Sequence, residues 1–195
     1  MTAIVRPATT ADLPAILAIY NDAVVSTTAI WNDTVVDIDN RIAWFEARAR
    51  QHYPVLVAEL EGAVVGYGSF GDFRPFDGYR HSVEHSVYVA AEARRRGVAS
   101  ALLAALVERA TAMGKHVMIA GIAADNAASI RLHRENGFVE TGRLPEVGTK
   151  FGQWLDLVFM QRILGGGPGR SSPGSDGRQS ATATRPFGGL AASRV

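Results

Sequence analysis

The chain has 195 residues, of which 47% are hydrophobic and 20% charged, with a formal net charge of +1 and no cysteine. This composition supports a packed core and excludes a wholly disordered chain, disulfides, thiolate metal ligands and a cysteine nucleophile. The balanced charge gives no general pull toward nucleic acid or a membrane surface, and no apolar run approaches the roughly 20 residues that cross a bilayer.

The opening Met1-Thr2-Ala3-Ile4-Val5-Arg6-Pro7 lacks the basic and apolar regions of a secretory signal, so a cytoplasmic protein is expected. Ala3 to Arg6 reads as a short strand, and Thr9 or Thr10 can cap a helix carrying Leu13, Ile16, Leu17, Tyr20 and Val24 at helical spacing. A second helix is expected from about Asp39 to Arg50, with Ile42 and Phe45 inward and Arg41, Glu46, Arg48 and Arg50 in water. Pro54 to Leu60 and Ala63 to Phe70 are strand-like and flank Glu61-Gly62, a hairpin turn. Phe73 to His81 reads as an aromatic, proline- and glycine-bearing loop, and Ser82 to Val89 as a strand. A helix from about Gly97 to Met113 follows, then a strand from His116 to Ala123 and a helix from Asn126 to Asn136 stopped by Gly137. Phe138 begins another strand, and Trp154 to Leu164 is the last element. The order implies an α+β fold, a mixed sheet with helices on both faces. From Gly165 the composition turns to glycine, serine, proline and arginine, so the domain is expected at 1–164 and a disordered tail at 165–195.

The most specific local pattern is Arg94-Arg95-Arg96-Gly97-Val98-Ala99-Ser100, a basic turn between a strand and a helix. The first N–H groups of a helix lack intrahelical acceptors and, with the helix dipole, favour an anion such as a phosphate. Gly97 and Ala99 keep the approach clear, and the arginines raise the local potential. The turn lacks the Lys-Ser/Thr of a P-loop and the three glycines of a dinucleotide fingerprint. The histidines His52, His81, His85, His116 and His133 show no metal-ligand spacing, so no metal is expected.

Two ordered motifs, Arg94-x-x-Gly97-x-Ala99 and Asn126-x-x-Ser129-x-x-x-His133-x-x-x-Gly137-Phe138, resemble the coenzyme-binding signatures of the GNAT superfamily of N-acetyltransferases. Arg74-Pro75-Phe76, Val83-Glu84-His85-Ser86-Val87-Tyr88-Val89 and Lys150-Phe151-Gly152-Gln153-Trp154 resemble its phosphinothricin acetyltransferase branch, and the likeness spans residues 1 to 164. It implies a GNAT fold with a mixed, mostly antiparallel central sheet, and acetyl-CoA as co-substrate. The acceptor would be the α-amino group of a small amino acid such as methionine sulfoximine, methionine sulfone or phosphinothricin. By the same resemblance Val87, Tyr88 and Val89 hold the pantetheine arm through their backbone, Arg95, Arg96, Gly97, Val98, Ala99 and Ser100 bind the pyrophosphate, and Asn126 meets the pantetheine region. Arg74, Pro75, Phe76, Glu84, His85 and Ser86 match positions lining the amino-acid site, and a homodimer is implied.

Amine attack on a thioester needs a neutral amine, a polarised carbonyl and a stabilised leaving thiolate. Glu84, on the strand just before the coenzyme-binding backbone, is the first candidate base, and His85 the second. Strand alternation sends these neighbours to opposite faces unless a bulge intervenes. A backbone N–H near Val87 can serve as an oxyanion donor. His133 stands where the superfamily often carries a tyrosine acid, so an imidazole is expected to meet the departing sulfur. Arg74 can pair with a carboxylate, and Phe73, Phe76, Tyr79 and Trp31 can wall in a compact side chain. Two alternatives stay open: transfer to another amine, a polyamine or a peptide N-terminus, and a non-catalytic module that senses acetyl-CoA.

Overall fold

The computed structural model describes residues 3–165. Seven strands and four helices follow in the order β1 (Ile4–Pro7), α1 (Leu13–Ser26), α2 (Ile38–Arg50), β2 (Val55–Leu60), β3 (Ala63–Asp72), β4 (Ser82–Val89), α3 (Val98–Ala112), β5 (Val117–Ala123), α4 (Ala127–Glu135), β6 (Val139–Lys150) and β7 (Gln153–Ile163). They form one sheet in the order β1-β2-β3-β4-β5-β7-β6. Every neighbouring pair is antiparallel except β4 and β5.

Both faces are covered, because strand alternation gives each face its own apolar set. On one face Leu102 and Leu106 of α3 pack with Phe70, Val83, Met118, Phe138 and Met160. On the other, Leu13, Ile16 and Tyr20 of α1 pack with Val55, Val57 and Tyr67. The two hairpin turns have positive φ at both central residues, Glu61 and Gly62 between β2 and β3, Phe151 and Gly152 between β6 and β7. That is the backbone a two-residue type I′ connection requires.

The feature that positions the site is a fork. β4 pairs with β5 only from Ser82↔Val117 to Glu84↔Ile119, yet β4 runs on to Val89 and β5 to Ala123. Beyond the last pair β5 is held by β7, through Ala123↔Leu157, while β4 stays on β3 through Gly66↔Val89. The two strands therefore diverge with a cleft between them. The bond from the Ala90 N–H to the Val65 carbonyl fixes which β4 groups are already used. With an unbroken β3–β4 register, Ser86, Tyr88 and Ala90 exchange bonds with β3, while the main-chain groups of Val87 and Val89 point into the fork.

The structure departs from the sequence reading in three places. A 3₁₀ turn, Thr10–Asp12, precedes α1, and the Asp12 carboxylate accepts from both the N–H and the hydroxyl of Thr9. The inner face of α2 is not centred on Ile42, which is exposed; Arg41 is buried and spreads over the rings of Tyr20 and Trp44. Cation–π contact compensates a guanidinium that apolar periodicity assigns to water. β6 is a long strand that carries Pro145 at an irregular stretch, since its register against β7 shifts between Glu140 and Gly142 and again between Leu144 and Gly148. The tail expected to be disordered lies outside the described residues beyond Gly165. No helix among the described residues is long and apolar enough to cross a membrane.

Candidate active site

The anion-binding end of the fork is the start of α3. Gly97 has φ of 80° as its N-cap, offers no side chain to the first turn, and a Cβ there would meet nothing within 4 Å. The first helical bond runs from the Ala101 N–H to the Gly97 carbonyl, which leaves the N–H groups of Val98, Ala99 and Ser100 outside the ladder. Arg94 and Arg96 lean on Asp22 and Glu61 in exposed pairs at 3.9 and 3.3 Å. Such pairs exchange readily for a stronger anion, since each contributes well under about 1 kcal/mol. Arg95 is held at φ of 61°, a conformation that places it on the exposed rim of the turn.

Between α3 and α4 the fork opens as a cleft of about 110 Å³, lined by Val87, Tyr88, Ala99, Ile122, Asn126 and His133 among others. Asn126 caps α4 by accepting the Ser129 N–H at 3.0 Å. Tyr88 is placed differently from its neighbours: its backbone is used by β3, and its ring packs on Tyr67 at 5.3 Å between centroids. Of the three residues expected to offer backbone to a pantetheine arm, Val87 and the N–H of Val89 are placed to do so, the Val89 carbonyl accepting from Arg94 Nε at 3.5 Å, whereas Tyr88 supplies a wall. The combination of bare helix amides and an unpaired strand backbone fits a ligand with a diphosphate at one end and an extended amide-bearing arm, as in acetyl-CoA.

Glu84 and His85 leave β4 on opposite faces, and no bulge brings them together. Glu84 points across the α1/α2 face toward β5, where Gly121 makes room for it; a Cβ on Gly121 would lie 3.1 Å from the Glu84 Oε1. Burial pushes the Glu84 carboxyl up, and the charge of Arg74 partly opposes that shift. Arg74 lies over the Phe73 ring at 4.1 Å, and Phe73 makes edge contacts with Tyr79 and with Phe159 of β7. Pro75 and Phe76 sit on the exposed crest of that loop, Phe76 with 68% of its surface in water. Ser86, also exposed, lines the cleft. The one-residue gap that Gly121 leaves in an otherwise apolar strand is the sequence signal for this site that the motif reading passed over.

On the other face His85, only 7% exposed, stacks on His133 with the two Nε2 atoms 3.2 Å apart, and both rings pack against Phe138. The Nδ1 of His133 lies 2.7 Å from the Ser129 carbonyl oxygen. A carbonyl only accepts, so that nitrogen carries the hydrogen, and burial keeps both imidazoles below the ordinary histidine value. In the neutral pair the Nε2 of His133 must therefore accept from the Nε2–H of His85. This assignment leaves the buried Nδ1 of His85 as an acceptor with no hydrogen-bond partner among the described residues. It also leaves His133 without a proton free for a departing sulfur, which is a different arrangement from the one its place in the helix motif suggests.

Known proteins share this architecture. The acetyltransferase (GNAT) family matches residues 16–138. An L-methionine sulfoximine/L-methionine sulfone acetyltransferase of Pseudomonas paraeruginosa is 60% identical over 174 residues, 89% of this chain and 100% of that protein. The crystal structure of a ribosomal-protein-alanine N-acetyltransferase from Brucella melitensis is 62% identical with a TM-score of 0.81, covering 82% of this chain and 99% of that one. A phosphinothricin acetyltransferase from Sinorhizobium meliloti in complex with acetyl-CoA is 40% identical with a TM-score of 0.83, covering 91% and 95%. With its forked sheet, bare helix start and these relatives, the chain belongs to the acetyltransferase (GNAT) family.

Proposed function

We propose that this enzyme moves the acetyl group of acetyl-CoA to the α-amino group of a small amino acid, with methionine sulfone and methionine sulfoximine as its first acceptors and phosphinothricin as a further one. The observation that carries the reading is the placement of Glu84. It sits at the last β4–β5 pair, where the fork opens, on the face that also holds Arg74 and the Phe73 and Phe159 rings. The 60% identity to the methionine sulfoximine/methionine sulfone acetyltransferase supports the choice of acceptor.

Acetyl-CoA supplies an activated thioester. The amides of Val98, Ala99 and Ser100, with Arg95 and Arg96 beside them, would hold its diphosphate, and the main chain of Val87 with the N–H of Val89 its extended arm. Arg74 pairs with the acceptor's carboxylate. Glu84, its carboxyl raised by burial toward the working range, takes the proton of the ammonium directly or through one water, which frees the nitrogen lone pair for attack. The Val87 N–H would donate to the carbonyl oxygen of the tetrahedral intermediate; its collapse breaks the C–S bond, coenzyme A leaves as a thiolate that takes back the proton held by Glu84, and the second proton of the new amide nitrogen passes to solvent. The His85–His133 pair keeps the floor of the fork neutral and dry, and no covalent acyl-enzyme is needed.

The exposed 73–80 loop favours a second reading. With Phe76 and Tyr79 standing open, an acceptor longer than a free amino acid can approach, and the Brucella relative is named a ribosomal-protein-alanine N-acetyltransferase. A panel of methionine sulfone, methionine sulfoximine, phosphinothricin, spermidine and an alanine-ended peptide, scored by free-thiol release, separates these. The reading requires the highest kcat/KM on the amino acids; release that is fastest with the peptide replaces it, and binding of acetyl-CoA without release on any amine makes the chain a sensing module.

The proposed assembly rests on an exposed surface. β6 is an edge strand, and Val139, Val147, Phe151 and Trp154 expose apolar area along the β6–β7 hairpin. An exposed apolar edge of this length is ordinarily covered by another chain, and a homodimer through this hairpin covers it.

A further inference from the structure

The Lys150-Phe151-Gly152-Gln153-Trp154 motif has no part in the chemistry described above, yet its first residue is the most deeply buried cation among the described residues. Lys150 is 3% exposed. Its Nζ donates to the main-chain carbonyls of Val24 at 2.5 Å and Asn32 at 3.1 Å, and to that of Ile30. Val24 lies in the last turn of α1, where carbonyls lack helical partners and the dipole favours a cation. Ile30 and Asn32 flank Trp31. One ammonium thus ties the end of α1 to both sides of Trp31, and a hydrogen-bonded buried charge is costly to remove from one side only.

Trp31 is where that restraint is read out. Its Nε1–H donates to the Thr28 carbonyl at 2.9 Å, and its ring lies so close on Gly148 that a Cβ there would fall 2.2 Å from it. Gly148 pairs with Leu155, and β7 continues along the same face through Leu157 to Phe159, which meets Phe73. Leu157 and Phe159 also border Gly121, beside Glu84. The floor on which Glu84 opens is therefore closed at one end by Phe73 and at the other by Trp31. Four residue steps along β7, from Leu155 to Phe159, separate those ends, a length of about 13 Å at roughly 3.3 Å per residue. The same segment is pinned on its other side by the Thr28 hydroxyl, which donates to Asp125 at 3.1 Å, and its Ala29 lines the fork.

We propose that Lys150 is a positioning residue that sets acceptor specificity: by clamping the carbonyls around Trp31 it fixes the ring as the end wall of the acceptor site and so limits that site to compact amino acids. The inference rests on the acceptor reading above. Lys150→Met keeps the stem and removes the charge. It is expected to raise the KM for methionine sulfone about tenfold while kcat and the KM for acetyl-CoA change by less than about twofold, the split produced by loss of acceptor binding alone. Relative kcat/KM for an alanine-ended peptide should rise. In a Trp31→Ala background the same substitution should add less than about twofold, since residues that act through one another are not additive. Gly148→Ala, which displaces the ring without touching the ammonium, should reproduce the KM change and stands in if Lys150→Met does not fold. Backbone hydrogen exchange over residues 27–37, measured without any amine, should be faster in Lys150→Met than in the parent. Unchanged exchange, or equal rises in both KM values, or additive effects with Trp31→Ala, overturns the clamp. A parent enzyme inactive on every amino acid overturns the acceptor reading instead, and the exchange comparison still reports on Lys150.

Discussion

A single carboxylate decides whether this fork is an active site or a binding groove. Glu84 is half-buried, and the absence of a side chain at Gly121 gives it space to face β5. Replacing it by Gln preserves shape and removes the base, so Glu84→Gln should lower kcat by about 10²- to 10⁴-fold, the range for a positioned general base. Acetyl-CoA affinity, measured by calorimetry, should stay within about twofold; an unchanged kcat hands the proton to another group. Because burial raises the Glu84 carboxyl and Arg74 lowers it, activity should rise with pH through a value above the ordinary carboxylate range. Arg74→Ala removes the favourable charge and should move that acid limb to higher pH as well as raising the acceptor KM. A profile of kcat/KM against pH that does not move in Arg74→Ala shows that the limb belongs to a different group.

At the scale of elements, two helix starts carry opposite devices. α3 begins bare, with Gly97 in the left-handed region and no capping side chain, which suits an incoming anion. Gly97→Glu should abolish acetyl-CoA binding, since it adds both bulk and negative charge in front of the Val98–Ser100 amides, while Gly97→Ala tests the strain of φ near 80° alone. The turn into α1 begins satisfied from within, by Asp12 bonded to Thr9 and to Arg6 at 2.8 Å. The Arg6 guanidinium holds the Asp12 carboxyl well below the usual carboxylate range. A carboxyl whose folded value is depressed stabilises the fold above its unfolded value, about pH 4, and loses that contribution as pH falls toward the folded one. Urea midpoints at pH 7 and pH 3 should therefore fall further for the parent than for Asp12→Asn. Equal losses in the two proteins contradict the assignment. His85 and His133, kept neutral by burial, add an acid loss of the same sign below about pH 6.5 in both proteins.

For the molecule as a whole, what is legible in the sequence is what periodicity and turn chemistry encode. The elements are all found within a few residues of their expected ends, because Glu61-Gly62, Gly97 and Gly137 punctuate them and apolar spacing fixes their faces. The strand, turn and bare helix start proposed to seat the coenzyme are legible for the same reason: a short motif places that backbone. At the proposed acceptor end Glu84, Arg74, Phe73 and Trp31 are named from motifs, but the buried charges that pack around the fold are not. Arg41 and Lys150 are charged side chains that tertiary contacts bury, and no local spacing tells a buried cation from a solvated one. The His85–His133 contact joins residues 48 apart, so the tautomer that leaves the His133 Nε2 an acceptor exists only in the fold. The exposed hairpin edge carries the prediction at this scale: Trp154, 67% exposed, replaced by Arg should convert a dimer to a monomer by light scattering. A parent chain already monomeric at micromolar concentration excludes the β6–β7 interface.

The proposed chemistry needs the fork and the start of α3 to act together as one coenzyme seat beside Glu84. A crystal structure with acetyl-CoA addresses that directly. The diphosphate should lie on the N–H groups of Val98, Ala99 and Ser100, the pantetheine arm should bond the main chain of Val87 and Val89, and the thioester should end at the opening of the β4–β5 pair within one water of the Glu84 carboxylate. Coenzyme bound elsewhere, or a thioester turned to the His85 face with Glu84 out of reach, contradicts it.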